Sequence, residues 1–279
     1  MCIRDRYAAA LSRLFKKRLV FWVQDIVLAA GLSVVSPRGA RVLAAAARIE
    51  KAAFGRADRC IVCSPGFRSH LAGLGVDESR VQTIYNWADT DWIRATEPAG
   101  NQLVRFLYAG NLGYTQGLET LLEAARLNDN RVRVEVVGAG NAANDIRRLA
   151  ATVPNVSVRG PVARVDYPAL LASADVHVVI QRKVGAGANL PSKIATALAS
   201  GRPIVASLDL ATPAAELLRE SGAAILVEPE SPRDLADAME ELAGDSLRRL
   251  QLGRCARDYA VHHLSKEPAL RHLRAALLP

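Results

Sequence analysis

The chain has 279 residues, of which 50% are apolar and 23% are charged, so it can form full cores for one large or two ordinary domains. No run reaches the roughly 18 apolar residues of a membrane span, and the start lacks a secretory signal pattern, so we expect a cytoplasmic protein. The formal net charge is +8, and residues 1–100 hold 15 Lys/Arg against 9 Asp/Glu.

The first 18 residues, "MCIRDRYAAALSRLFKKR", carry six Lys/Arg that only Asp5 opposes, with apolar residues between them. Such a segment can lie on anionic lipid, where each basic residue near the surface contributes about 1 kcal/mol. The alternatives are peripheral contact with the inner face of the cell membrane and an ordinary solvated helix face. We do not expect nucleic-acid binding, because no aromatic stacking platform or reading motif accompanies the cations.

Residues 1–95 contain few strand and helix patterns. Residues 19–24 and 60–63 are typical of strands and residues 39–56 of a long helix. These are too few units for an independent sheet, so we expect a partial domain in a chain that lacks its opening strands. Cys60 and Cys63 have a spacing that zinc and redox sites also use, but no second ligand pair follows. We therefore expect buried strand cysteines.

From residue 96 to 262 the pattern indicates one complete doubly wound domain with a parallel sheet, because short β-branched runs alternate with helix-length amphipathic segments. The remaining residues, 263–279, are predicted to form a C-terminal helix that crosses back to the first domain. The predicted strands are Val104–Tyr108, Val132–Val137, Val156–Arg159, Val176–Ile180, Ile204–Ala206 and Ala224–Val227. The predicted helices are Leu118–Leu127, Ala142–Ala151, Asp166–Ala172, Ser192–Ser200, Ala211–Glu220 and Pro232–Leu242.

The loop after the first of these strands, "YAGNLGYTQGLETLL", is the first candidate ligand site. Gly110 and Gly113 bracket a tight turn whose amide groups face the carboxyl edge of the sheet, where open α/β folds bind ligands. Asn111 and Gln116 can donate hydrogen bonds without carrying charge. An ordinary strand-to-helix turn is the alternative.

The second loop, in "VRVEVVGAGNAANDIRRLA", comes close to the dinucleotide-binding fingerprint. Gly138, Gly140 and Ala143 have the required spacing, and Arg159 ends the next strand where the 2′-phosphate of NADP needs a cation. The pattern falls on the second strand-helix unit of the domain rather than the first. It leaves the lysine-led helix described next unexplained, so NADP chemistry is only an alternative.

The stretch "GANLPSKIATALASGRPIVA" begins a helix with a lysine. A cation in the first turn of a helix costs roughly 0.3–1 kcal/mol, whereas an anion bound there is stabilised. Ser192 is the predicted N-cap, Gly201 and Pro203 end the helix, and Lys193 and Thr196 share a polar face with Ser192. We predict a phosphate site here, against the alternative of a tolerated surface lysine.

Asp89-Thr-Asp91 resembles the acidic pair that holds a divalent metal in one class of sugar transferases. It precedes the predicted linker and follows no strand of the second domain, so capping or turn formation is the better interpretation. No metal site is therefore predicted.

Taken together, the chain resembles retaining nucleotide-sugar glycosyltransferases of the GT-B fold, family 4-like, in the colanic-acid or exopolysaccharide subgroup. That resemblance implies two Rossmann-like domains, acceptor first and donor second, a nucleotide-sugar donor, a carbohydrate or polyprenyl-linked acceptor, and no cofactor or metal. The segments that carry it are "VQD" at 23–25, "CSPGFRSHLAGLGVDESRVQTIYNWADTDW", "YAGNLGYTQGLETLLEAA", "VEVVGAGN", "VRGPVARVDYPALLASADVHVV" and "LPSKIATALASGRPIVAS".

The chain departs from the family pattern at the donor motif. The family's two glutamates, eight residues apart, fall on Ala188 and Thr196, and its basic pair in the first loop is replaced around Asn111 and Gln116. The resemblance therefore assigns the diphosphate contact to Lys193 and the ribose or sugar to Thr196. The predicted donor-binding set is Gly110, Asn111, Gly113, Gln116, Gly138, Pro191, Ser192, Lys193 and Thr196.

Two side chains are predicted to act in catalysis, Lys193 on the departing diphosphate and Asp25 on the acceptor hydroxyl, although a capping role for Asp25 is equally compatible. Two rival functions stay open. One is an NADP-dependent oxidoreductase. The other is a non-catalytic sugar-nucleotide-binding protein, which the missing glutamates would suit.

Overall fold

The computed structural model describes residues 2–24, 48–96, 103–128, 131–183 and 190–278. Helices and strands are numbered here in chain order over that part of the chain. The helices are α1 (Cys2–Leu14), α2 (48–54), α3 (Pro65–Gly73), α4 (Leu118–Leu127), α5 (Ala143–Ala150), α6 (Tyr167–Ala172), α7 (Lys193–Ala199), α8 (Pro213–Ser221), α9 (Pro232–Gly244), α10 (Ser246–His263) and α11 (Lys266–Leu277). The strands are β1 (Val20–Val23), β2 (Arg59–Val62), β3 (Val81–Thr83), β4 (Val104–Asn111), β5 (Val132–Ala139), β6 (Val156–Arg159), β7 (Val176–Ile180), β8 (Ile204–Ser207) and β9 (Ala224–Val227).

The chain divides into two compact units, and the second holds Trp87–Lys183 and Pro191–Lys266. Its sheet has six parallel strands in the order β6-β5-β4-β7-β8-β9. Strands β5 and β6 are added on one side of β4. Strand β7 then pairs with the other side of β4, and β8 and β9 follow on that side. The order therefore reverses between β4 and β7, which is the topological switch point of a doubly wound sheet.

Apolar side chains on alternate strand positions form the core on one face of this sheet. Phe106 and Tyr108 of β4 and Val134 and Val136 of β5 are buried there together with leucines and alanines of α4, α5 and α9. Alternation follows from the two-residue period of a strand, since successive side chains point to opposite faces. Both faces of the central strands are covered, as expected for a parallel sheet, and all five residues of β7 are buried.

Three strands extend beyond their predicted ends, β8 by one residue and β4 and β5 by more. The structure carries β4 to Asn111 and β5 to Ala139, with Gly110 opposite Gly138 in the register. A Cβ atom on Gly138 would lie 1.8 Å from the backbone oxygen of Gly110, so glycine is required for the two backbones to approach. The predicted turn between Gly110 and Gly113 consequently lies later, and Gly110 belongs to the strand.

The long helix α10 was not predicted from the sequence. Its buried residues, Leu252, Gly253, Ala256 and Ala260, are mostly small, so its apolar stripe is weak in sequence. Helix α10 packs against α7, and a Cβ on Gly253 would lie 2.5 Å from the backbone oxygen of Gly201. Small residues thus permit a close approach that larger ones would prevent.

The first unit includes Met1–Asn86 and Glu267–Pro279. Its described strands form a parallel sheet in the order β1-β2-β3, and Arg18 Nη1 donates to the carbonyl of Leu278 at 2.9 Å. The prediction of buried cysteines at this strand is confirmed. Cys60 lies in β2 and Cys63 directly after it, both are buried, and neither forms a disulfide bond. Burial raises the pKa of the Cys60 thiol to about 11. Of the predicted helix 39–56, the part before residue 48 lies outside the described residues.

The contact at Gly253 generates a stability prediction. Gly253→Ala should lower the free energy of unfolding by about 1–3 kcal/mol, because the new methyl group overlaps a backbone oxygen that cannot rotate away. Gly244→Ala, at an exposed site with nothing within 4 Å of the added Cβ, is the matched control and should be neutral or slightly stabilising. Urea denaturation of the two variants checks this, and equal stabilities would contradict the packing described.

Candidate functional site

Two loops meet at the carboxyl edge of the second sheet, over the switch point between β4 and β7. Gln116 follows β4, and Lys193 follows β7 as the first residue of α7. The Lys193 Nζ donates to Gln116 Oε1 at 3.1 Å, and the backbone N–H of Arg182 donates to the carbonyl of Thr115 at 3.1 Å. Residues 77 positions apart in sequence are therefore brought together where ligands bind in open α/β sheets.

The Lys193 ammonium group lies in a largely uncharged environment. Its Nζ is 4.2 Å from the ring centroid of Tyr108, and its aliphatic stem passes beside Gly110, where an added Cβ would lie 3.7 Å from Lys193 Cδ. Among the described residues, Lys193 has no carboxylate partner within salt-bridge distance. Burial lowers the pKa of Lys193 to about 7, because removal from water disfavours the charged form.

Tyr108, which sequence analysis did not select, forms the floor of this environment. Its side chain is fully buried, and its hydroxyl donates to the carbonyl of Asn111 at 2.7 Å while lying 3.3 Å from Gln116 Oε1. Burial raises the pKa of the Tyr108 hydroxyl. The ring is consequently held in one orientation and stays neutral.

Arg182 is a second cation at the switch point that sequence analysis missed. Its Nη1 pairs with Glu230 at 3.0 Å and its Nη2 pairs with Glu119, while its Nε donates to the carbonyl of Tyr114 at 2.9 Å. Two carboxylates therefore neutralise Arg182, and its role is to join three loops. The sequence signal for Arg182 was a charged residue two positions after the buried strand β7, because ligand-binding residues often follow a strand in this way.

Asn111 and Gly113 stand at the end of β4. Asn111 is exposed, whereas Gly113 is buried, and a Cβ on Gly113 would lie 3.0 Å from Asn111 Nδ2. The structure thus brings Gly110, Asn111 and Gln116 to the same edge as Lys193. Asp25 and Ala188 lie outside the described residues.

The start of α7 differs from the prediction. Ser192 has helical dihedral angles, φ −58° and ψ −25°, and its side chain makes no capping hydrogen bond. Ser192 is the N-cap residue by position, as predicted, but its side chain does not cap the helix, because a capping side chain reaches the helix from an extended conformation. The carbonyl of Pro191 instead accepts from the Ile194 N–H at 3.0 Å, and the exposed Ser192 side chain is left at the edge.

Thr196, one turn into α7, makes two polar contacts. Its hydroxyl donates to the carbonyl of Lys193 at 3.0 Å and lies 3.3 Å from the hydroxyl of Tyr167. Ser200, one turn further, is buried and lies 2.9 Å from His177 Nε2, so the polar face of the helix enters the core at its end. Burial lowers the pKa of His177 to about 3.

The dinucleotide-like glycines have a structural explanation. A Cβ on Gly140 would lie 2.3 Å from the carbonyl oxygen of Leu112, so the loop after β5 touches the loop after β4. Arg159 Nε donates to Glu135 Oε1 at 2.5 Å, and Arg105 pairs with the same buried carboxylate. The guanidinium that an NADP phosphate would need is therefore engaged by Glu135, which argues against that alternative.

Asp89 makes a turn. Its Oδ1 accepts from the backbone N–H of Trp92 at 3.1 Å, as the capping interpretation predicted. Within the described ranges no group of three His, Cys, Asp or Glu side chains could hold a metal ion.

A cavity of about 720 Å³ lies at the opposite, amino edge of the same sheet, lined in part by Arg202, Arg249 and Arg257. Each of these arginines donates to backbone carbonyls. Arg257 makes three such bonds. Its Nη1 donates to the carbonyls of Ile93 at 2.8 Å and Ala199 at 2.7 Å, and its Nη2 donates to the carbonyl of Thr90 at 2.9 Å. These three arginines hold polypeptide segments together, and none of the three belongs to the switch-point site.

Comparison with known proteins identifies the class. The family model "Glycosyl transferases group 1" matches residues 104–245, and the model "Glycosyltransferase Family 4" matches residues 5–92. The structure of HepE from Anabaena in complex with UDP has a TM-score of 0.84 at 18% identity, covering 99% of this chain and 76% of that one. WaaG, a glycosyltransferase involved in lipopolysaccharide biosynthesis, has a TM-score of 0.73 at 15% identity, with 93% and 75% covered. The fold is therefore GT-B, as predicted.

Two curated proteins are similar in sequence over most of the chain. The putative colanic acid biosynthesis glycosyl transferase WcaI of Escherichia coli is 30% identical, with 94% of this chain and 68% of WcaI aligned. The probable glycosyltransferase WbjE of Pseudomonas aeruginosa is 24% identical, with 81% and 59% aligned. The chain belongs to the group 1 glycosyltransferases, and the predicted resemblance to the colanic-acid subgroup is confirmed.

The environment of Lys193 makes stability depend on pH. Between pH 7 and about 10 the unfolded chain holds a proton on Lys193 that the folded chain lacks, so the free energy of unfolding rises with pH in that window and levels off below it. Lys193→Met cannot titrate and is the reference. From pH 7 to 9.5 the wild type should gain at least about 1.4 kcal/mol relative to this variant, the equivalent of one pKa unit. Urea denaturation at both pH values measures the difference, and a constant offset would refute the buried-ammonium description.

Proposed function

We propose that this chain transfers a sugar from a nucleotide-diphosphate donor to a carbohydrate or polyprenyl-linked acceptor during synthesis of a cell-surface polysaccharide. The observation that supports this most directly is the meeting of Lys193 with Gln116 over the switch point, where a cation faces the ligand edge and no described carboxylate pairs with it. HepE, which has the same fold, binds UDP, and the name of WcaI assigns it to colanic acid biosynthesis.

The donor would lie along the carboxyl edge. Gly110 and Gly138 belong to the proposed donor set because they lie near the ends of the paired strands β4 and β5 at this edge. Lys193 supplies the charge, and Asn111 and Gln116 supply neutral amide groups. The remaining members of the proposed donor set are Gly113, Pro191, Ser192 and Thr196, with Thr196 toward the ribose or sugar.

Catalysis would depend on the departing diphosphate. As the bond from the sugar to the phosphate oxygen breaks, negative charge grows on the leaving group and positive charge on the ring. A preorganised donor facing that oxygen is typically worth about 10²–10³ in rate. The diphosphate also favours the ammonium form of Lys193, so donor binding would oppose the burial that lowers the pKa of Lys193 to about 7.

Two further parts of the proposal rest on the family resemblance. The resemblance to retaining GT-B enzymes implies that this chain also retains the anomeric configuration of the sugar and needs no metal ion. Asp25 is the proposed contact of the acceptor hydroxyl. Product stereochemistry by NMR and activity after exhaustive chelation test the first two.

The proposed role of Lys193 predicts a catalytic defect without unfolding. Lys193→Ala should lower turnover more than tenfold, because it removes the charge opposite the leaving diphosphate. Lys266→Met, at an exposed lysine on α11, is the matched control and should keep full activity. Consumption of UDP-, GDP- and dTDP-sugars, followed with an extract of lipid-linked acceptors, measures both. Equal activity of Lys193→Ala and wild type would reject the role, and donor binding without consumption by the wild type would favour the non-catalytic alternative.

We also propose that the chain makes peripheral contact with an anionic membrane surface on its cytoplasmic side through α1 and the residues that follow. Four apolar side chains there are exposed, Tyr7 (67%), Leu11 (51%), Leu14 (73%) and Phe15 (63%). Spacings of four and three residues place Tyr7, Leu11 and Leu14 on one stripe of α1, and Phe15 directly follows the end of that helix. The exposed cations Arg13, Lys16, Lys17 and Arg18 adjoin that stripe. Within the described part of the chain, no helix has the length and apolar content to cross a bilayer.

The membrane proposal predicts salt-sensitive binding. The protein should sediment with vesicles of phosphatidylglycerol and phosphatidylcholine at about 50 mM salt, and sedimentation should fall at about 500 mM because screening shortens the reach of the cations. Leu14→Ser with Phe15→Ser should abolish binding. Val165→Ser with Leu247→Ser changes two side chains that are each 78% exposed in the second unit and should leave binding intact. Binding that ignores salt, or that survives the first pair, would contradict the proposal.

A further inference from the structure

The aromatic ring beneath Lys193 has no part in the donor set. Tyr108 lies inside β4, pointing into the core that α4 and α5 cover, yet one face of its ring meets the lysine ammonium 4.2 Å from the centroid. This distance is well within the roughly 6 Å limit of a cation–π contact. A core residue thus reaches the ligand edge of the sheet.

We propose that Tyr108 is a positioning residue for donor binding, whose ring holds the Lys193 ammonium at the switch point in the place that a carboxylate would otherwise take. This inference rests on the proposed function of Lys193. A carboxylate beside Lys193 would neutralise its charge and repel an incoming diphosphate. The ring attracts the ammonium through its quadrupole but carries no net charge, so a diphosphate can bind without displacing it.

The hydrogen bonds around Tyr108 support this role. Its hydroxyl has one proton, and the shorter contact, 2.7 Å to the carbonyl of Asn111, takes it. The oxygen of Gln116 is then left to accept from Lys193 at 3.1 Å. The ammonium therefore has a neutral amide on one side and a ring of fixed orientation on another, and both are in place before any ligand arrives.

Arg182 provides the internal comparison. It also stands at the switch point, but Glu119 and Glu230 engage it, and its guanidinium serves to join loops. The two cations differ in what surrounds them, two carboxylates at Arg182 and a ring with a neutral amide at Lys193. A ring is the environment that fits a cation reserved for an anionic ligand.

A double-mutant cycle tests the inference, with the dissociation constants of UDP and GDP measured by calorimetry at pH 6.5. Tyr108→Phe keeps the ring and should stay within about twofold of wild type. Tyr108→Leu should weaken binding by between about twofold and thirtyfold, the range that cation–π contacts span. In the Lys193→Met background Tyr108→Leu should have no further effect, because the ring acts only through the ammonium.

The outcomes separate the two proposals. If Lys193→Met binds as tightly as wild type, the proposed role of Lys193 fails. If Lys193→Met weakens binding but Tyr108→Leu adds its full effect to it, only the inference about Tyr108 is overturned. Since Tyr108→Leu could unfold the core, phenylalanines with one, two and three ring fluorines at position 108 give a second series. Stepwise weaker binding with unchanged melting temperature is expected, and affinity independent of fluorination would overturn the inference.

Discussion

The pairing of β4 with β7 at the centre of the six-stranded sheet is the constraint on which the candidate site depends. The connections on the two sides of this pair run in opposite directions, so the loops after β4 and β7 lie side by side at the sheet edge where doubly wound folds bind ligands. The chain returns to β4 only after two strands have been built outward, so Gln116 and Lys193 meet across a long stretch of sequence. The hydrogen bonds of Lys193 with Gln116 and of Arg182 with Thr115 both use that adjacency.

Sequence analysis predicted the parts of the site that local patterns encode. The glycines of the strand ends, the amides after β4 and the lysine that opens α7 all carry their own signals, since turns, cap positions and helix polarity depend on neighbouring residues. Tyr108 carries no such signal, because a tyrosine in a strand is ordinary core and its meeting with Lys193 depends on which strands are neighbours. Ser192 lies at the N-cap position as predicted, but its side chain makes no capping hydrogen bond, since its backbone is already helical.

The same limits apply to the fold. Most strands and helices of the second unit begin and end within a few residues of their predicted bounds, because strong apolar alternation marks them. Helix α10 was missed because Gly253, Ala256 and Ala260 bury little apolar area, and Gly253 is suited to its place by the closeness of the Gly201 backbone oxygen. A small residue on a helix permits close approach of a neighbouring backbone but adds little to an apolar pattern. Its role can therefore be recognised only when the neighbouring element is known.

The three hydrogen bonds of Arg257 give α7 a mechanical property. That helix is only seven residues long, and the guanidinium fastens the carbonyl of Ala199 at its far end to those of Thr90 and Ile93 in the segment that opens the second unit. An axial slide of α7 would have to drag this segment along. Lys193 lies at the other end of this helix. Arg257, which does not contact the ligand edge, therefore helps to fix the position of Lys193 above the sheet.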